Sequence, residues 1–293
     1  MFYMAANPRR SVLYMPGSNA RALEKARSLD ADVLILDLED AVAPAQKSQA
    51  REQVLAAVAE GGYGRRELVV RVNGFDTEWG RKDIEAFANA PISALCLPKV
   101  ESAAEIHAVV QVLQQAGAAP SLKLWAMAET PRGILAVSDI AGAHPRMDGI
   151  VLGTSDLAKD LRVPHTPQRL GMLTSLGLCV LAARAHGIDV FDGVHLDLDD
   201  EQGLLKACEQ GVELGFDGKT LIHPKQIAVT NQVFSPSAET LARAEKIQLA
   251  WQAAEAEGKG VVLVDGRLVE ALHVEEAVRV LAIAQQIAAR NAD

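Results

Sequence analysis

Aromatic residues make up only 4% of this 293-residue chain, and cysteine appears three times, at Cys96, Cys179 and Cys208, with no CxxC spacing. A disulfide framework and a zinc knuckle are both excluded by that cysteine pattern, and a reducing cytoplasm is the expected compartment. No run of about 18 apolar residues occurs, and the N-terminus lacks an apolar stretch followed by a small-residue cleavage site, so neither a membrane span nor a secretory leader is expected. Basic charge is in deficit as well. A formal net charge of −9 argues against nucleic acid or an anionic membrane surface as a partner. The motifs GxSxG, GxGxxG and the P-loop are absent, which removes the serine hydrolase, dinucleotide-binding and P-loop readings, and no HExxH spacing links the histidines.

What remains is aliphatic. Hydrophobic residues form 49% of the chain, and with so few aromatics the core must be built of Ala, Val, Leu and Ile, as buried parallel strands require. Strand-like runs fall at Ser11–Met15, Val33–Asp37, Leu68–Val72, Ala94–Leu97, Leu122–Ala128, Gly149–Leu152, Ile188–Phe191 and Gly218–Ile222. Between them lie helical apolar spacings such as Ala20–Leu29, Gln46–Ala59, Ala103–Gln115 and Leu170–His186. Strands alternating with helices imply parallel pairing, and eight such units predict an α/β fold of the TIM barrel kind. The expected organisation is a (β/α)8 barrel over residues 1–230 and a C-terminal helical extension over 231–293, serving as a lid or an oligomer contact. The extension reads as a helix at Ala238–Glu257, a Gly-bounded apolar run Gly258–Gly266, and an amphipathic helix at Val274–Ala289.

In such a barrel, catalytic groups come from the carboxyl ends of the strands. Glu129 and Asp156 each follow an apolar strand, and two carboxylates at successive strand exits suit magnesium, which keeps several waters and leaves room for an oxygen-rich substrate. Helix capping is the competing account of each, since Thr130-Pro131 reads as an N-cap followed by Pro at the first helical position. Together, beside Arg71 and Lys99, the pair favours a metal. Asp37, Glu39 and Asp40 leave the second strand as a trio, with alternation aiming Asp37 and Glu39 to one side; one is a base or holds metal-bound water, or the three form an acidic loop paired to nearby cations. Arg71 ends an apolar strand, where a guanidinium requires a carboxylate, and its planar fork suits a substrate carboxylate or a developing enolate. Lys99 is a fixed charge near substrate, with a Schiff-base nucleophile as the weaker reading. His223 opens the last barrel helix, and the same rim of strand ends includes Asp192.

At these residues the sequence resembles the HpcH/HpaI aldolase and citrate lyase family, in its citrate lyase beta-subunit-like and malyl-CoA lyase branch. The resemblance rests on Arg10-Ser-Val-Leu-Tyr-Met-Pro-Gly-Ser18, Leu36-Asp-Leu-Glu-Asp-Ala-Val-Ala-Pro44, Val70-Arg-Val-Asn-Gly74, Leu97-Pro-Lys-Val100, Glu129-Thr-Pro-Arg-Gly133, Leu152-Gly-Thr-Ser-Asp-Leu157 and Ile222-His-Pro-Lys-Gln226. It implies magnesium on Glu129 and Asp156, substrate contact by Arg71, and Tyr14, Lys25 and the Ile222-His223 turn near coenzyme A. It also implies a homo-oligomer, a trimer or hexamer, in which the tail of one subunit covers a neighbour's site. Two departures stand out. Asn19 replaces the Arg that follows Pro-Gly-Ser in malyl-CoA lyases, and Glu270 replaces the Asp to which proton transfer is assigned there.

The function implied is reversible, magnesium-dependent cleavage of a 3-hydroxyacyl thioester (malyl, citramalyl or citryl) into a 2-oxo acid and an acyl thioester carried on coenzyme A or an acyl carrier. Arg71 would stabilise the enolate, and Glu270, or one of Asp37, Glu39 and Asp40, would move the proton. The rival expectations are a metal-dependent aldolase on free hydroxy-oxo acids and a carrier-binding beta subunit of a citrate lyase complex.

Overall fold

The computed structural model describes residues 8–291. They fall into two compact units, Arg9–Phe234 and a C-terminal unit from Ser235 onward; residues 1–7 of the expected barrel domain and 292–293 of the expected extension lie outside the described residues. Among the described residues, eight parallel strands close into a barrel in chain order: β1 (Ser11–Pro16), β2 (Val33–Asp37), β3 (Glu67–Arg71), β4 (Ala94–Leu97), β5 (Lys123–Ala128), β6 (Met147–Leu152), β7 (Asp189–Asp192) and β8 (Gly218–Leu221). The helices of this unit are α1 (Ala20–Ala26), α2 (Lys47–Glu60), α3 (Gly80–Phe87), α4 (Ala103–Gln115), α5 (Pro131–Leu135), α6 (Val137–Ala141), α7 (Thr154–Leu161), α8 (Leu173–His186), α9 (Glu201–Leu214) and α10 (Ile227–Val233). Cys96, Cys179 and Cys208 are buried free thiols. No helix among the described residues is long and apolar enough to cross a membrane.

Each expected strand is present, with ends displaced by at most two residues. Expected helix ends moved more. The segment expected as Ala20–Leu29 stops at Ala26, because the amides of Arg27, Ser28 and Leu29 bond three residues back rather than four, a tightened last turn. The segment expected from Leu170 opens as a 3-10 turn, Leu170–Met172, before the α-helix starts at Leu173.

The two-residue period of each strand decides what it presents to the barrel interior. On β2, Leu34 and Leu36 join the layer beneath the helices while Val33 and Ile35 point inward, so Asp37 at the exit falls on the interior side. On β3 the inward series is Val69 then Arg71; on β5 it is Trp125, Met127 and then Glu129 just past the strand. Trp125 stacks at 4.6 Å on Phe191, filling the middle of the barrel. Gly149 makes this possible, since a Cβ there would lie 3.0 Å from the indole.

At the amino end, Arg9 closes the barrel. Its guanidinium donates to Glu67 at 2.7 Å, Asp148 at 2.7 Å and Asp189 at 2.8 Å, and sits 5.2 Å from the centre of the Trp125 ring. Three strands are thereby tied by one cation. Burial and the neighbouring Asp217 push the Asp189 carboxyl up to about 6 even so.

The C-terminal unit pairs α11 (Ala238–Ala256) with α12 (Ala271–Asn291). Between them the apolar run read from sequence becomes a hairpin, β9 (Val262–Val264) and β10 (Arg267–Val269). Its turn is Asp265-Gly266, at φ 48° and 76°, the Asp-Gly pair that a two-residue turn with both φ positive selects. Ala244, Ile247, Val269, Ala277 and Val280 form its small core.

Arg9→Ala leaves three partly buried carboxylates without their shared cation. The expected loss, measured by urea unfolding at pH 7, is about 2–4 kcal/mol, set below the figure for a fully buried pair because Asp148 and Asp189 are partly exposed. An unchanged midpoint would show that the cluster holds nothing together.

Candidate active site

The barrel's carboxyl rim is organised around Arg71. Its Nε donates to Asp37 Oδ1 at 2.7 Å and its Nη2 to Asp37 Oδ2 at 2.6 Å, a two-pronged contact between neighbouring strand ends. Asp37 also accepts the amides of Glu39 and Ala41, so all its strong acceptor positions are engaged. This makes it an anchor rather than a free base. The remaining edge of the guanidinium, Nη1, lies 2.9 Å from Glu39 and 3.6 Å from Asp40, while the Tyr14 ring packs beneath it at 4.9 Å. Burial opposes the charge on Arg71, but Asp37 outweighs it and holds the pKa above the ordinary value.

Glu39 faces two cations at once. One oxygen meets Arg71 and the other the Lys99 ammonium at 2.7 Å, as the alternation of Asp37, Leu38 and Glu39 requires. Burial raises its pKa against the pull of Arg71. Asp40 beside it is largely exposed.

Lys99 links this group to Glu129 and Asp156. Its backbone sits at φ 50°, the left-handed region, and its amide donates to Glu129 Oε1 at 2.7 Å; its ammonium stands 3.5 Å from Asp156. The three residues thus share one patch of the rim. Glu129 is only 2% exposed, and burial pushes its carboxyl up to about 7 despite the bond from Lys99. The exit of β6 is glycine for a local reason, because a Cβ on Gly153 would fall 2.2 Å from Glu129 Oε2.

Neither carboxylate is a side-chain N-cap, while Asp156 does sit where a negative charge favours a helix dipole. Thr130, not Glu129, caps α5 by accepting the amide of Gly133 at 3.0 Å, and Asp156 lies inside the first turn of α7, whose N-cap is Gly153 without a side-chain bond. Among the described residues no group of three His, Cys, Asp or Glu is placed to hold a metal. Two hard carboxylates, one of them buried and held by a single backbone amide, fit magnesium, which completes its octahedron with water and substrate, and do not fit zinc.

The other residues singled out from sequence are dispersed. Lys25 is exposed on α1. Asn19, read as a missing cation, is the N-cap of that helix, accepting the amide of Ala22 at 3.1 Å. Ile222 and His223 are exposed at the exit of β8, and His223 Nδ1 accepts the amide of Lys225 in a capping box with Gln226. Glu270 is exposed in the C-terminal unit, its amide bonded to His273. Asp192 ends β7 as expected, but it alternates away from Phe191 and is buried against Lys219 at 2.8 Å and Arg169 at 2.6 Å, apart from the Arg71 group. Sequence reasoning overlooked Lys47, Asn73 and Gly153. The Asn73-Gly74 pair following a strand and the glycine following β6 were the available signals.

Against known proteins, residues 10–224 match the model of the HpcH/HpaI aldolase/citrate lyase family. The chain is 52% identical over 287 residues to a (3S)-malyl-CoA thioesterase of Cereibacter sphaeroides, covering 98% of both, and 36% identical to the citrate lyase subunit beta of Leuconostoc mesenteroides, covering 94% of this chain and 93% of that one. In structure it is similar to the protein CitE of Mycobacterium tuberculosis in complex with magnesium, acetoacetate and coenzyme A, with TM-score 0.77, 31% identity, and coverage of 96% of this chain and 100% of the other. With the barrel, the Arg71 fork and the paired carboxylates in place, these matches show that the chain belongs to the HpcH/HpaI aldolase/citrate lyase family.

Proposed function

We propose that this protein is a magnesium-dependent carbon–carbon lyase of the aldolase type, cleaving reversibly a 3-hydroxyacyl coenzyme A thioester of the malyl kind into a 2-oxo acid and an acyl thioester. One observation carries this reading: a buried guanidinium, forked on Asp37 and turning its Nη1 edge to Glu39, lies on the same rim as a buried carboxylate and a half-buried one suited to a hard cation. The similarity to a protein that binds magnesium, acetoacetate and coenzyme A supports it. Glu129 and Asp156 would hold magnesium, which would supply Lewis acidity to the oxo acid. Arg71 presents Nη1 to the enolate oxygen of the acyl thioester, and Asp37 keeps it from reorienting as charge develops. Glu39, lifted by burial and flanked by Arg71 and Lys99, takes the substrate hydroxyl proton. Lys99 holds Glu129 through its amide and adds a fixed positive charge; its ion pair with Glu39 disfavours an amine nucleophile. Glu270 of a neighbouring copy in a homo-oligomer, with the C-terminal unit acting as its lid, returns a proton to the enolate.

A second reading is hydrolysis of the thioester, favoured by the 52% identity to (3S)-malyl-CoA thioesterases. Water adds to the thioester carbonyl, the carbon–sulfur bond breaks, and malate and free coenzyme A leave. The test is the product pair: malyl-CoA with magnesium, read by mass spectrometry. Acetyl-CoA and glyoxylate are expected. Malate and coenzyme A without glyoxylate would establish the hydrolase, and no turnover would reject both.

The state of Glu129 gives a second expectation. Its folded pKa of about 7 stands above the ordinary 4.5, so the proton is retained in the fold between those values. The fold without metal is favoured by this group at low pH and loses that contribution as pH rises toward 7. Glu129 would have to give up that proton to hold magnesium, so affinity by calorimetry should rise about tenfold per pH unit below 7 and level off above it. Glu129→Gln should bind magnesium weakly with no such slope; wild-type affinity in that variant would remove Glu129 from the metal site.

A further inference from the structure

Lys47 is a buried cation that the chemistry above does not use. It opens α2, is 7% exposed, and donates from one ammonium to the carbonyls of Leu38 and Glu39 at 3.0 Å each and to Asn73 Oδ1 at 2.5 Å. Its donors are thus matched by three oxygens. Two of these belong to the backbone of the acidic turn after β2, and the third lies two residues beyond Arg71. Asn73 is fixed in turn, donating from its amide and its side chain to Asp83 at 3.0 and 2.6 Å, and Asp83 accepts Arg51 at 2.6 Å. The Trp79 ring lies 5.4 Å from the ammonium.

Burying an ammonium is expensive, and an apolar side chain packs such a site without desolvating a charge. What the ammonium adds is direction: a single point clamps the carbonyls of Leu38 and Glu39 against the exit of β3. We infer that Lys47 is a positioning residue, which by holding the backbone at Glu39 sets that carboxylate between Arg71 and Lys99 and so fixes the Nη1 edge of the Arg71 guanidinium. The inference rests on the proposed function in that it takes Arg71 and Glu39 to act on substrate. Displacing a reacting group by about 1 Å lowers turnover by roughly 10²-fold. Glu129 and Asp156 meet this network only through Lys99, so the metal should be affected less than turnover.

The experiment uses the full-length protein and two readouts. Hydrogen exchange by mass spectrometry follows the 38–43 segment, whose amides at Glu39 and Ala41 are held by Asp37; steady-state turnover of malyl-CoA is read for both product pairs. Lys47→Met should speed exchange of that segment about tenfold or more while the barrel strands stay protected, and should lower kcat by roughly 10²-fold with magnesium affinity within about threefold. In a Glu39→Gln background the same change should add less than about a twofold loss, because the two act in one chain. Lys47→Gln, which keeps an amide donor, should give a smaller effect in the same direction, and it replaces the methionine variant if that fails to fold. A wild-type kcat with only a lower melting temperature, or a loss that persists in full beside Glu39→Gln, overturns the inference. If wild-type protein yields neither product pair, the proposed reaction fails, and the exchange readout alone decides: unchanged protection of the 38–43 segment rejects the role of Lys47.

Discussion

A guanidinium buried at the end of a barrel strand constrains everything around it. Desolvating that charge costs several kcal/mol unless it meets a carboxylate with matching geometry, and Asp37, one strand away in the same register as Arg71, meets it with both oxygens. The pairing follows from the parallel sheet. Because the period-2 alternation of β2 and β3 turns both residues inward, the ion pair forms inside the barrel mouth, where solvent screens it least. Once Asp37 is fully engaged, Glu39 is left as the nearby carboxylate with partners but without saturation. The proposed division of labour between an anchor and a proton carrier arises from hydrogen-bond count.

The rim interleaves its charges, with more carboxylates than cations. Arg71, Lys99 and the buried Lys47 stand among Asp37, Glu39, Asp40, Glu129 and Asp156, and Asp37, Glu39, Asp40 and Asp156 each face a cation. Glu129 is the partial exception. Its one backbone amide does not offset its burial, which raises its pKa. In the proposed function a divalent cation would supply the missing charge, and the proton Glu129 would give up would link magnesium binding to pH.

Much of this was legible in the sequence because strands announce themselves by composition. The barrel's eight strands, the shared side of Asp37 and Glu39, and the rim position of Arg71, Lys99, Glu129 and Asp156 all follow from apolar runs and alternation. Side chains acting through backbone carbonyls were not legible. Lys47 reads as an ordinary surface residue at the start of a helix, and nothing in its neighbours shows that it reaches Leu38, Glu39 and Asn73. Asp192 misled for the opposite reason: it ends β7 as Asp37 ends β2, but its phase along the strand is shifted by one residue, which sends it outward to Lys219 and Arg169. Asn19 could be counted as a lost charge from sequence, while its bond to the Ala22 amide required coordinates.

The geometry of the Arg71 fork is the central claim, and Arg71→Lys tests it directly because charge is preserved while the planar two-pronged contact is lost. The measurement is kcat with malyl-CoA at saturating magnesium, with magnesium affinity taken in parallel. The account predicts a folded protein that binds magnesium normally and turns over on the order of 10²–10³-fold more slowly, as expected when a preorganised donor to a developing oxyanion is removed. Turnover near that of the wild type would contradict it, showing that a point charge at the end of β3 is sufficient.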